Sequence, residues 1–151
     1  PASIKGMEDS GLSLLDIVKH ALKTIVVMLS DEDRIALVTY SNDARVVFSL
    51  TVLNRAGRAR VSSLIEGLTA GGMTNLWDGL SKGLDVLWTD TLRTQATTNE
   101  MLSRNSAIFL LTDGIPNVEP PRGHLPRLKR YKDSHGGVYP GTISTFGFGK
   151  F

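Results

Sequence analysis

Ser106-Ala107-Ile108-Phe109-Leu110-Leu111-Thr112-Asp113-Gly114 is the stretch that decides the fold. Its apolar residues follow one another without alternation, which predicts a strand covered on both faces in a parallel sheet. The run stops abruptly at Asp113-Gly114, so a carboxylate is expected at the strand's carboxyl end.

Working outward, Leu14, Leu15, Ile17, Val18, Ala21, Leu22, Ile25, Val26 and Leu29 recur at helical spacing, with Ser10 or Ser13 as N-cap. Ser30-Asp31-Glu32-Asp33 breaks this helix, and Arg34 to Ser41 reads as a buried strand. Asn42-Asp43 supplies a tight turn into a second strand over Ala44 to Leu50, an antiparallel neighbour at a sheet edge. Asn54 to Leu68 is helical, with Val61, Leu64, Ile65 and Leu68 on one face. A glycine-rich loop, Thr69 to Thr74, leads into a helix from Asn75 to about Leu92, and Arg93 to Asn105 is a polar excursion. Beyond the decisive strand, a loop bearing Pro116, Pro120 and Pro121 precedes a short helix around Leu125 to Lys132, and Thr142 to Phe148 forms a last strand. Strands alternating with helices predict one α/β domain over residues 1–151, doubly wound, with a mostly parallel sheet and one antiparallel edge strand.

Composition narrows the functions. With 151 residues and 41% hydrophobic content the chain is long enough for one packed core. A net charge of +2 argues against nucleic acid as partner, and the absence of cysteine excludes disulfides, thiol catalysis and thiolate metal sites. The longest apolar stretches, Ala21 to Leu29 and Ala107 to Leu111, fall short of the ~20 residues of a membrane span. Pro1 to Met7 lacks the apolar core of a signal peptide and reads as the middle of something longer.

In open α/β sheets ligands bind at the carboxyl ends of the strands. Asp113 falls there, and a carboxylate leaving an apolar strand needs a cation or donors to satisfy it, or else caps the following turn. Gly71-Gly72-Met73-Thr74-Asn75 precedes a helix, and its glycines allow close backbone approach. The Thr74 hydroxyl has two available roles, cation ligand or helix N-cap.

These two segments, with Asp33 to Ser41, Ala44 to Val47 and Thr145 to Gly149, resemble von Willebrand factor A (VWA) domains over about Leu12 to Gly149. Within that family the chain is most similar to intracellular eukaryotic members that accompany RING or Hint modules, the run from Asn117 to Asp133 resembling fungal ones. The resemblance implies a metal-ion-dependent adhesion site in which Thr74 and Asp113 are ligands from the second and third motifs. It implies Mg²⁺ as cofactor, a protein partner offering an acidic side chain, no enzymatic activity, and a cytoplasmic address. Mg²⁺ suits such oxygen ligands. The family's first motif, Asp-x-Ser-x-Ser after a central strand, is missing: Asp9-Ser10-Gly11-Leu12-Ser13 has Gly in the third place and no strand before it, and reads as a helix cap. The expected domain is therefore incomplete, lacks its N-terminal central strand, and binds Mg²⁺ only if the first motif is supplied upstream of Pro1; stable folding is expected to need those residues too. Alternatives are a metal-free scaffold within a ubiquitin-related multidomain protein, and a phosphotransfer receiver with Asp113 as acceptor.

Other residues have plainer expectations. His20, His124 and His135 lack metal-ligand spacing and are expected in solvent. Trp77 and Trp88, eleven residues and about three turns apart, should share a packing face. Asp78 and Asp85 are expected in a solvated stripe, and Arg127, Lys129, Arg130 and Lys132 on a solvated helix face. Ser62 and Ser63 lie in no nucleophile elbow, and no P-loop is present.

Overall fold

A computed structural model describes residues 13–95, 97, 99, 105–112 and 115–148. In chain order the elements are α1 (Leu14–Met28), β1 (Arg34–Tyr40), β2 (Ala44–Val52), α2 (Arg55–Glu66), α3 (Leu76–Thr94), β3 (Ala107–Thr112), α4 (His124–Ser134) and β4 (Thr142–Gly147).

Helix α1 starts at a capping box. The Ser13 hydroxyl accepts from the Asp16 amide at 3.1 Å, while the Asp16 carboxylate accepts from the Ser13 amide at 2.9 Å. The Ser13 hydroxyl, which donates to the Asp16 carboxylate at 2.7 Å, and then the Ser13 amide hold the Asp16 carboxyl below its ordinary range. The last turn of α1 contains no basic residue of its own. Arg58 of α2 supplies the charge, donating to the carbonyl oxygen of Val26, to that of Leu29 at 2.6 Å, and to the Asp31 carboxylate at 2.9 Å. A guanidinium thus satisfies carbonyls left open at a helix C-terminus and complements its dipole.

The main core lies where α1, α2 and β2 meet. Leu22 and Val26 pack with Phe48, Leu53, Val61 and Ile65, all buried, and Ile35 and Leu37 of β1 join its edge. The helical spacing of these apolar positions is what presents them on one side of α1 and α2. Helix α3 packs against β1, β2 and β3 and buries Gly79, Leu80 and Leu84.

Strand β1 pairs antiparallel with β2, from Arg34 opposite Val52 to Tyr40 opposite Ala44, with irregular register around Leu37. Strand β3 pairs in parallel with β4, from Ala107 beside Thr142 to Thr112 beside Gly147. Among the described residues these are two separate two-stranded sheets. The expected α/β class, with a parallel pair and an antiparallel edge hairpin, is what the chain adopts. The expectation of a missing central strand concerns residues 1–12, which lie outside the described residues.

Some expectations need correction. Strand β3 is not evenly buried: Leu110 is buried, but Phe109 on the other face is 50% exposed and stacks edge-on with Phe146 of β4, itself 46% exposed. A continuous apolar run is compatible with either arrangement, because it records what a strand tolerates and not what covers it. Strand β2 runs two residues beyond Leu50, and α3 continues to Thr94, taking in the start of the polar excursion.

Leu84 is fully buried. Leu84→Ala should lower unfolding free energy by about 2–5 kcal/mol. In urea titrations this appears as a lower midpoint at unchanged slope, whereas Val27→Ala, at an exposed position on α1, should change it by less than about 0.5 kcal/mol.

Candidate functional site

The carboxyl ends of β1 and β3, the loop before α3 and the loop after β3 converge on one rim. Asparagine side chains do most of the fastening. The Asn75 amide donates to the Ser41 carbonyl at 2.9 Å, the Met73 amide to Asn42 Oδ1 at 2.9 Å, and Asn75 Nδ2 to the Asn42 carbonyl at 3.0 Å. Asn75 also caps α3, its side chain accepting from the Asp78 amide at 3.2 Å. Asp78 in turn accepts from the Ala44 amide, tying the first turn of α3 to the start of β2.

Two glycines permit this closeness. Gly72 has φ +87°, and a Cβ there would come within 2.7 Å of the Ser41 Cβ. Gly79 lets α3 lie on Tyr40, since a Cβ would meet the ring at 2.6 Å. Tyr40 then spans to the other sheet, its hydroxyl donating to the Leu111 carbonyl at 2.9 Å.

Thr74 is half-buried on this rim. Its backbone amide donates to Asn117 Oδ1 at 2.7 Å, so the loop after β3 closes over the loop before α3. Its hydroxyl makes no hydrogen bond to a described residue. The N-cap role belongs to Asn75, one residue later, which leaves the Thr74 hydroxyl available for a ligand. Asp113 is the residue after Thr112, where β3 ends; it lies outside the described residues, as does Asp9. Among the described residues no group of three or more His, Cys, Asp or Glu side chains is assembled as a metal site.

Sequence reasoning missed Asn42, Asn75 and Asn117 as the rim's fasteners. Their signal is the habit of asparagine in turns and caps, where its side chain substitutes for a backbone partner.

A second cluster lies between α3 and α4. Trp88 meets His135 edge-on at 5.1 Å between ring centroids, His135 stacks on Tyr131 at 4.0 Å, and Arg127 sits 5.9 Å over the Trp77 ring. The two tryptophans do share a face, as their spacing predicts. The solvated reading is corrected for several neighbours: His135 is half-buried in this stack, the buried Nε2 of His124 has no hydrogen-bond partner among the described residues, and Lys132 lies over Tyr139 at 5.3 Å. Asp85 is also more than surface charge, since it accepts from the Tyr131 hydroxyl at 2.8 Å. Burial, and then the Asp85 carboxylate, hold the Tyr131 phenol well above its ordinary range. His20 is exposed as expected.

Comparison with known proteins agrees with this fold. The model of the von Willebrand factor type A domain family matches residues 5–148. The chain is 32% identical over 137 residues to the uncharacterised protein YfbK of Escherichia coli (strain K12), covering 89% of this chain and 21% of that relative. Among solved structures it resembles a von Willebrand factor type A protein from Catenulispora acidiphila, with TM-score 0.69 and 23% identity over 93% of this chain. It also resembles proximal thread matrix protein 1 of the mussel byssus, with TM-score 0.52 and 19% identity over 89% of this chain. It spans 30% of the length of each of those two chains.

Gly79→Ala should force the Tyr40 ring aside and cost about 1–3 kcal/mol, measured by thermal unfolding. Tyr131→Phe removes one hydrogen bond and should cost about 0.5–1.5 kcal/mol near neutral pH. Because the folded phenol titrates above the unfolded one, the stability it contributes is complete below pH ~10 and is lost as pH rises further. The difference between wild type and Tyr131→Phe should therefore narrow above about pH 10 in unfolding titrations.

Proposed function

Because the chain belongs to the von Willebrand factor type A domain family, we propose that it is a non-enzymatic module whose rim takes up an acidic side chain of a protein partner through Mg²⁺ held by Thr74 and Asp113. Such domains are generally protein-interaction modules. The observation that carries the reading is the Thr74 hydroxyl, held on the rim by its backbone bond to Asn117 and without a described hydrogen-bond partner of its own.

The donor chemistry fits the ion. Of the rim side chains described, Ser41, Asn42, Thr74 and Asn117 offer neutral oxygens, the Asp78 carboxylate accepts from the Ala44 amide, and neither imidazole nor thiol stands among them. Mg²⁺ prefers such hard ligands, keeps some of its waters, and supplies charge that a partner carboxylate can share. Thr74 contributes a neutral oxygen, so the carboxylate of Asp113 and any acidic group of the first motif must supply the negative charge. This chain's own residues do the positioning: Asn42 and Asn117 hold the loop that carries Thr74, and Asn75 and Asp78 anchor the helix behind it.

A cytoplasmic setting within a longer multidomain protein, of the RING- or Hint-associated kind, is part of the same proposal and rests on the resemblance. No helix among the described residues is long and apolar enough to cross a membrane. The second reading is a scaffold of the same fold that works without metal.

Calorimetric titration of the whole protein with Mg²⁺ separates the two. Thr74→Ala and Asp113→Ala should each weaken Mg²⁺ binding by about tenfold or more, since even outer-shell changes at metal sites cost that much. Unchanged Mg²⁺ affinity in both variants, or no uptake by the wild type, decides for the metal-free scaffold.

A further inference from the structure

Beside the rim lies a cationic cleft that the metal reading does not use. The run from Pro121 to Lys132 contains Arg122, Arg127, Lys129, Arg130 and Lys132 and no acidic residue. A cleft of about 360 Å³ is lined by Pro121, Arg122, Pro126, Arg127 and Arg130. The three arginines are exposed, and none forms a salt bridge with a described carboxylate. Arg127 and Arg130, three apart on α4, project from one helix face, and Arg122 joins them through the turn closed by the Gly123 amide and the Pro120 carbonyl at 2.8 Å. Like charges gathered in this way repel one another, and an anionic occupant relieves the repulsion.

We infer that this cleft is a second, metal-independent subsite that binds an acidic peptide segment of the partner. Two features select a peptide over a bare anion. Guanidinium groups form paired hydrogen bonds with carboxylates, and three of them suit several acidic side chains along a chain. The rings of Pro121 and Pro126 add rigid apolar walls that a small inorganic ion has no use for. The cleft also neighbours the start of α3: Arg127 lies over Trp77, in the first turn of α3 and three residues after Thr74. A segment with one acidic side chain at the rim reaches the arginines by passing Trp77, a placement that rests on the proposed function above.

The test is fluorescence anisotropy of a labelled peptide of Asp, Glu and Gly residues with the whole protein at low salt, in EDTA and in Mg²⁺. Binding should persist in EDTA and weaken about tenfold or more in the double variant Arg127→Glu, Arg130→Glu. Arg55→Glu with Arg60→Glu, a matched reversal at exposed positions on α2, should leave it within about twofold. Arg130→Gln, at an exposed position, gives a smaller loss in the same direction should the double variant fail to fold. Equal weakening by the two double variants, loss of binding in EDTA, full competition by inorganic phosphate, or tighter binding of a single-stranded oligonucleotide would overturn the inference. A Mg²⁺ effect that disappears in Thr74→Ala while EDTA-resistant binding remains supports two separate subsites. Absence of any Mg²⁺ effect removes the metal reading and leaves the arginine result standing.

Discussion

The rest of the rim depends on how the N-terminus of α3 is fastened to the end of β1. Backbone and side chain alternate in this fastening: the Asn75 amide on Ser41, the Asn42 amide oxygen on Met73, the Asn75 side chain on the Asn42 carbonyl, and Asp78 on Ala44. Helix N-termini leave amides open, and here capping and anchoring are done by the same few residues. Thr74 and Trp77 sit on either side of the anchor, so their positions are inherited from it. The Thr74 hydroxyl and a ring that carries a guanidinium are both held without needing strong contacts of their own.

The second constraint is the space between the sheets. Among the described residues β1 and β3 are not joined by a ladder, yet Tyr40 reaches across from one to the carbonyl of Leu111 on the other. Backbone groups along strand edges need partners from somewhere. What keeps the two halves in one frame is α3, which packs on β1, β2 and β3 together. Its glycine at position 79 lets the Tyr40 ring come close enough for the bridge.

Much of this was legible from spacing. The amphipathic period of α1 and α2, the turn at Asn42-Asp43 and the glycines before α3 are local signals, and they led to the right elements within a few residues. The VWA resemblance rested on Gly71 to Asn75 and Leu111 to Gly114, and the family match carries it. What could not be read was set by distant neighbours. Nothing local says that Phe109 faces outward, that His135 is sandwiched by Trp88 and Tyr131, or that Asp85 waits for a phenol 46 positions away. The placement of Thr74 was reached only as a choice between ligand and cap, and the cap went to Asn75 because a helix takes one N-cap. The relation of Thr74 to Asp113 stays a sequence expectation, Asp113 being outside the described residues.

The far end of α3 adds one more consequence. Arg34, at the start of β1, grips Asp90 with two parallel hydrogen bonds of 2.8 and 2.9 Å, near the C-terminus of the helix. An α-helix of 19 residues is a rod roughly 28 Å long, and this one is tethered to the same strand at both extremities. Tilting or sliding it to accommodate a guest strains a charge-assisted fork on the opposite side of the domain. A helix fixed near both ends resists deformation, and the proposed binding role would draw its selectivity from that rigidity, rejecting shapes that do not fit instead of moulding the domain around them.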